Sequence, residues 1–227
     1  MDSKRGAFWA GVRAELPLLV GVLPFGMIYG ALALSSGISP AAAQSMSWIV
    51  FAGSSQFIAA QLVHEAAPWL VVVLTIGIVN LRHMLYSASA APYLASLSPR
   101  WKGLLAYLLT DEAYAVAITH YEKEGLRPFS HWFFLGAGLA LWSTWQVSTA
   151  VGIALGAVIP ESWPLDFALP VTFIALVMPV LKDRAAIAAA LTAGAAAVMA
   201  NGLPNKLGLI LAALAGIAIG MLVEGPK

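Results

Sequence analysis

Three charges stand inside apolar runs of this chain, and they are where chemistry is to be sought. Arg82 lies in Asn80-Leu81-Arg82-His83-Met84-Leu85-Tyr86, and Asp111-Glu112 interrupts the apolar stretch Leu104–Thr119. A guanidinium presents a planar fork that matches the two oxygens of a carboxylate. An embedded acid can pair with that arginine, bind an ammonium group or carry a proton. Plainer roles compete. Arg82 can snorkel to an interface from a helix end, and the acids can form a structural ion pair. A fourth feature is Gly53-Ser54-Ser55-Gln56, where a glycine and three hydrogen-bonding side chains fall together in an apolar segment.

The elements that must position these residues follow from composition. Of 227 residues, 60% are hydrophobic and 10% charged, against about 25% charged in ordinary soluble domains. Such a chain would expose apolar patches that water penalises. It predicts an all-α, polytopic integral membrane bundle forming a single transmembrane domain over residues 1–227, with seven or eight spans of about 20 residues each. The apolar runs place spans at 16–34, 42–62, 68–88, 103–120, 132–158, 166–181, 185–200 and 207–223. Lys4, Arg5 and Arg13 ahead of the first run resemble a signal peptide. However, that run is near spanning length and apolar segments continue to the end, so it reads as the first span.

Basic residues set the orientation. With eight spans and a cytoplasmic N-terminus, Lys4, Arg5, Arg13, Lys123, Arg127, Lys182, Arg184 and Lys227 fall inside, and Arg100, Lys102 and Lys206 outside. Arg100 and Lys102 are the misfit, and they mark 87–102 as something other than a simple loop. Leu74-Thr75-Ile76-Gly77 and Leu191-Thr192-Ala193-Gly194 suggest an internal repeat of open orientation, an arrangement common in transporters.

In the second span, Gln44, Ser47, Ser54 and Gln61 draw a polar stripe down one helical face. Lipid cannot satisfy such groups. They either glue helices together or mark a locally unwound helix whose backbone holds a ligand, with irregularity expected near Gly53. Asn80, His83 and Ser87 share one face of the third span, and Arg82 and Tyr86 the neighbouring one. His64, His120 and His131 fall near span ends and read as interfacial.

Other classes find little support. The net charge of +1 and the absence of cysteine argue against a nucleic-acid footprint, disulfides and thiolate metal sites. No phosphate-binding loop, zinc-protease motif or nucleophile elbow occurs, and the polar residues are spread over several spans. The expectation is a non-enzyme without cofactor or metal. A passive channel or uniporter for another small solute remains the alternative, and an intramembrane enzyme the more distant one.

Taken together, Phe25-Gly26, Gly37-Ile38-Ser39, Ser-Trp-Ile-Val-Phe-Ala-Gly-Ser-Ser-Gln-Phe from Ser47 to Phe57, Asn80-Leu81-Arg82-His83-Met84-Leu85-Tyr86-Ser87 and Thr110-Asp111-Glu112 resemble the AzlC family. That family comprises large subunits of bacterial branched-chain amino-acid exporters. The likeness covers roughly residues 8–200. It implies secondary export of leucine, isoleucine, valine and related molecules such as methionine, a small AzlD-type membrane subunit, and the bacterial inner membrane. On that basis Gly53, Ser54, Ser55, Gln56, Asn80, Arg82, His83 and Tyr86 are expected at the substrate, with Arg82 on its carboxylate. Asp111 and Glu112 are expected to serve the ammonium or a coupling proton. Phe25, Phe51 and Phe57 would wall the aliphatic side chain. Selection by apolar walls is shallow, about 1–3 kcal/mol per methylene, so a broad apolar range is expected.

Overall fold

A computed structural model of the chain describes residues 3–125, 127–156, 181, 183–203 and 207–224. Among these residues every regular element is an α-helix. They fall into two compact units, Met1–Trp163 and Pro164–Lys227.

In the first unit, α1 (Lys4–Ser35) and α7 (Ser130–Gly156) form the central pair. Ser3 starts α1 by accepting the Gly6 N–H at 3.0 Å, which satisfies one of the donors a helix start leaves free. Glycines on both helices let the two backbones touch. A methyl group at Gly11 would overlap the Phe133 carbonyl, and one at Gly30 the Thr149 carbonyl. Reciprocally, Gly136 faces the Phe8 carbonyl and Gly152 that of Met27. Small residues that bring backbones together are the usual device where lipid supplies no hydrophobic driving force between helices.

The predicted 42–62 span is two helices, α2 (Pro40–Ile49) and α3 (Gly53–His64). The expected irregularity therefore lies at 50–52. Phe51 there takes a left-handed φ of 42° while buried, a conformation that costs a non-glycine residue about 1–3 kcal/mol. Carbonyls freed by the break find side chains. Ser47 O accepts from Gln146 Nε2 at 3.0 Å, and Trp48 O from the Tyr107 hydroxyl at 2.6 Å. The broken end is thus held from α7 and from α5 (Pro99–Tyr107).

The predicted 103–120 span is also divided, which corrects the single helix expected there. After α5, residues 108–110 leave the helix, and α6 (Asp111–Glu124) begins afresh. Thr110 explains the restart, since its extended backbone and hydroxyl cap the Ala113 N–H at 3.4 Å. Between the two broken pairs runs α4 (Trp69–Leu94), which continues past Pro92. The 87–102 region is accordingly mostly helix, with only 95–98 between α4 and α5. Among the residues of α4, only Thr75 and Ala90 are buried. Both α1 and α4 are long and apolar enough to cross a membrane.

The second unit contains α8 (Arg184–Met199) and α9 (Leu207–Glu224), packed on each other. Asp183 caps α8 by accepting the Ala186 N–H at 2.7 Å. The span expected at 166–181 lies outside the described residues except for Leu181.

Candidate functional site

The two restarted helices meet at one guanidinium. Arg82, midway along α4, places Nη2 3.1 Å from Asp111 Oδ2 at the first residue of α6. The same nitrogen donates to Ser54 Oγ, in the first turn of α3, at 3.3 Å. Beside this contact, Ser55 Oγ donates to Asn80 Oδ1. Sequence positions 54, 55, 80, 82 and 111 thus form one polar cluster. The Arg82 and Asp111 side chains keep 28% and 38% of their surface accessible, so the pair is not sealed into the core.

The two helix starts differ in chemistry. Ala52 offers α3 no side-chain cap, and no acid lies in its first turn. The first helical bond of α3 is Gln56 N–H to Ala52 O at 3.0 Å. The first turn of α6 instead holds Asp111 and Glu112. A helix N-terminus presents free N–H groups and partial positive charge, which favours an anion. The α3 start with Arg82 suits a negative group, while the α6 start supplies two carboxyls for a positive one.

Hydrogen-bonding capacity also remains at the centre. Arg82 Nε and Asp111 Oδ1 are buried without a hydrogen-bond partner. One is a donor and the other an acceptor, aligned with the same division of charge. Buried polar atoms of this kind are rare and call for an explanation.

His83 and Tyr86 lie on the α4 side of the cluster. Tyr86 stacks on Tyr114 of α6 with ring centres 4.5 Å apart, and His83 meets Tyr86 edge-on at 5.9 Å. The Tyr114 hydroxyl donates to Ser89 Oγ at 2.9 Å. Further along, Ser87, Ala90, Leu94, Leu105, Ala106 and Leu109 border an apolar cavity of about 200 Å³ between α4 and α5.

Two expected site residues sit elsewhere. Gln56 is fully buried, donates to Ser47 Oγ at 2.9 Å and accepts from Trp145 Nε1 at 3.1 Å. Ser47 also bonds Thr149 Oγ1 at 3.1 Å, and Gln44 donates to Gln146 Oε1 at 2.8 Å. Gln44 and Ser47, half of the polar stripe of the second span, are therefore helix glue against α7. Gly53 makes room for rings, since a Cβ there would stand 3.0 Å from both Phe25 and Trp145. Phe25 in turn stacks on Phe57 at 4.5 Å, both buried, and Phe51 is buried near Tyr107. These three phenylalanines belong to the packed core.

One acidic residue escaped the sequence reading. Glu15, on α1, is 0% exposed, and neither carboxyl oxygen has a hydrogen-bond partner. The available signal was its place between helix-forming residues with no basic neighbour at i+3 or i+4 to pair with.

Interrupted apolar helices, with polar groups gathered at the breaks, are the architecture of membrane transport proteins. The family description "AzlC protein" matches residues 17–159, and the chain belongs to that family. It is an integral membrane protein of the transport class. Among its relatives, a membrane protein of Archaeoglobus fulgidus is 33% identical over 94% of each chain. The inner membrane protein YgaZ of Escherichia coli is 28% identical over 95% of this chain and 88% of its own. The branched-chain amino acid transport protein AzlC of Bacillus subtilis is 28% identical over 77% of this chain and 69% of its own. No solved structure matches the chain.

Proposed function

We propose that the chain is a secondary exporter of branched-chain amino acids across the bacterial inner membrane, acting with a small AzlD-type membrane subunit. The observation that carries this reading is the pair of unpartnered atoms at the centre of the cluster, Arg82 Nε and Asp111 Oδ1. A zwitterion has a carboxylate and an ammonium one carbon apart, and the two helix starts offer complementary partners for them. The carboxylate is assigned to Arg82, the free N–H groups of α3 and the Ser54 hydroxyl. The ammonium is assigned to Asp111 and Glu112. Asn80 and Ser55 brace the cluster from either side, and His83 and Tyr86 border it. The apolar cavity beyond Ser87 and Leu109 takes the aliphatic side chain in place of the three phenylalanines. The branched-chain substrate draws support from the name of the Bacillus subtilis relative.

In this reading the N-terminus is cytoplasmic, with Lys4, Arg5 and Arg13 on that side, and the chain crosses the membrane seven or eight times. The test loads membrane vesicles containing the chain with labelled leucine, with and without the small subunit, and follows its loss against a concentration gradient. Uphill efflux supports the exporter. Equilibration that stops at equal concentrations establishes a passive channel or uniporter instead.

A further inference from the structure

Glu15 takes no part in the zwitterion site, yet its setting is the least ordinary in the first unit. It is fully buried on α1, and both carboxyl oxygens lack a partner. A lone buried carboxylate is expensive, because nothing replaces its lost hydration. One charge of the wrong sign to help comes from the Glu112 carboxyl of α6, which packs on α1. Two acids that share a dry region cannot both carry charge at low cost. Asp111 is the acid that Arg82 neutralises, which leaves Glu15 and Glu112 as the pair without a dedicated cation.

A route to water lies along the same seam. Ala14, Val116, Thr119, His120, Lys123 and Glu124 line a cavity of about 410 Å³ between α1 and α6. Ala14 adjoins Glu15 in the chain, and Lys123 and Glu124 belong to the hydrated end of α6. His120 lines this cavity and has Nε2 buried without a partner. The ionisable groups around Glu15 are few. On α1 itself, Arg13 is exposed. Of the helices packed on α1, α6 carries Asp111, which is held by Arg82, together with Glu112, His120, Glu122, Lys123 and Glu124. His131 stands at the start of α7 and His64 at the far end of α3, while α2 has no ionisable side chain.

We propose that Glu15 is the proton-carrying carboxyl of the transport cycle, loaded and unloaded through the α1–α6 cavity. This rests on the exporter reading and assigns its coupling proton to a residue outside the substrate cluster. The proposed cycle starts with the proton on the carboxyl. On release, the O–H bond breaks, the proton passes to water in the cavity, and the carboxylate remains until a proton returns. Glu112, nearer the ammonium position, links the two events. A positive substrate group beside it removes its repulsion of a charge on Glu15, so substrate binding favours proton release.

The experiment compares wild type and Glu15→Gln in proteoliposomes, supplied with the small subunit where the wild type requires it. Two readouts are taken: leucine movement driven by an imposed pH gradient, and leucine counterflow without one. Glutamine keeps the shape and cannot ionise. We expect gradient-driven transport to fall at least tenfold while counterflow stays within about twofold of wild type. Equal performance of the variant in both assays overturns the proton role and leaves the exporter reading intact. Absence of both activities in the wild type overturns the exporter reading itself. Infrared difference spectra of the wild type supply a measurement independent of the variant's folding. A carboxylic-acid C=O band that disappears as the pH is raised, and is missing from Glu15→Asp at its original frequency, is expected. A wild type without any protonated carboxyl band overturns the proposal.

Discussion

Arg82 and Asp111 are 28 and more residues from their common neighbour and from each other, yet their charged atoms stand 3.1 Å apart, with Ser54 on the same guanidinium nitrogen. Neither charge is placed by its own helix alone. Asp111 owes its position to the Thr110 cap that restarts α6, and Arg82 to the passage of α4 between two broken helices.

Removing either member therefore leaves the other poorly compensated. Arg82→Ala and Asp111→Asn are each expected to abolish leucine efflux while the protein still reaches the membrane. The double variant should be no worse than either single one. Arg82→Lys should stay impaired, because an ammonium cannot present to the substrate carboxylate the two-nitrogen fork proposed for Arg82. Efflux at matched membrane expression is the measurement, and near-normal transport by Arg82→Lys removes the carboxylate role.

Gln56 and Ser54 lie two residues apart and should respond differently. Gln56→Ala strips partners from Ser47 and Trp145 in a buried network, costing about 1–3 kcal/mol. It should lower the thermal unfolding midpoint in detergent without changing the leucine concentration for half-maximal transport in the folded fraction. Ser54→Ala should do the reverse, raising that concentration with little loss of stability.

The close seam between α1 and α7 predicts intolerance of a single methyl group. Gly152→Ala drives Cβ into the Met27 carbonyl, and overpacking of this kind costs about 1–3 kcal/mol. Gly77, around which a Cβ meets nothing, is the matched control on α4. Unfolding midpoints of Gly152→Ala and Gly77→Ala should separate clearly.

A reporter active only in the cytoplasm, fused ahead of Met1, should give signal. Silence there reverses the proposed orientation.

Much of this arrangement is legible in residue order, and the illegible parts have definite causes. Hydropathy locates the apolar runs, because lipid imposes a length on them. Gly53 and its polar neighbours flag the first break. The second break escapes, since Leu104–Thr119 is apolar throughout except for the acids, and Thr110 shows its capping role only once a partner N–H is known. Polar stripes do not declare what they face. Gln44, Ser47 and Gln56 turn to α7 and Ser54 to Arg82, although all lie on neighbouring turns. Glu15 is hidden for another reason: its flanks show that it lacks a basic partner on its own helix, but its burial is set by the helices packed on it.

The glycine seam has a mechanical consequence. Backbones in contact at Gly11, Gly30, Gly136 and Gly152 have no slack to slide, since a shift of part of a turn would bring side chains where only hydrogen atoms fit. The α1–α7 pair is therefore the fixed jaw of the first unit. By contrast, α4 buries two residues and meets its neighbours through polar and ring contacts at Asn80, Arg82, Tyr86, Ser89 and Tyr93. The side expected to move is the one fastened by polar and ring contacts and not by interlocked backbones.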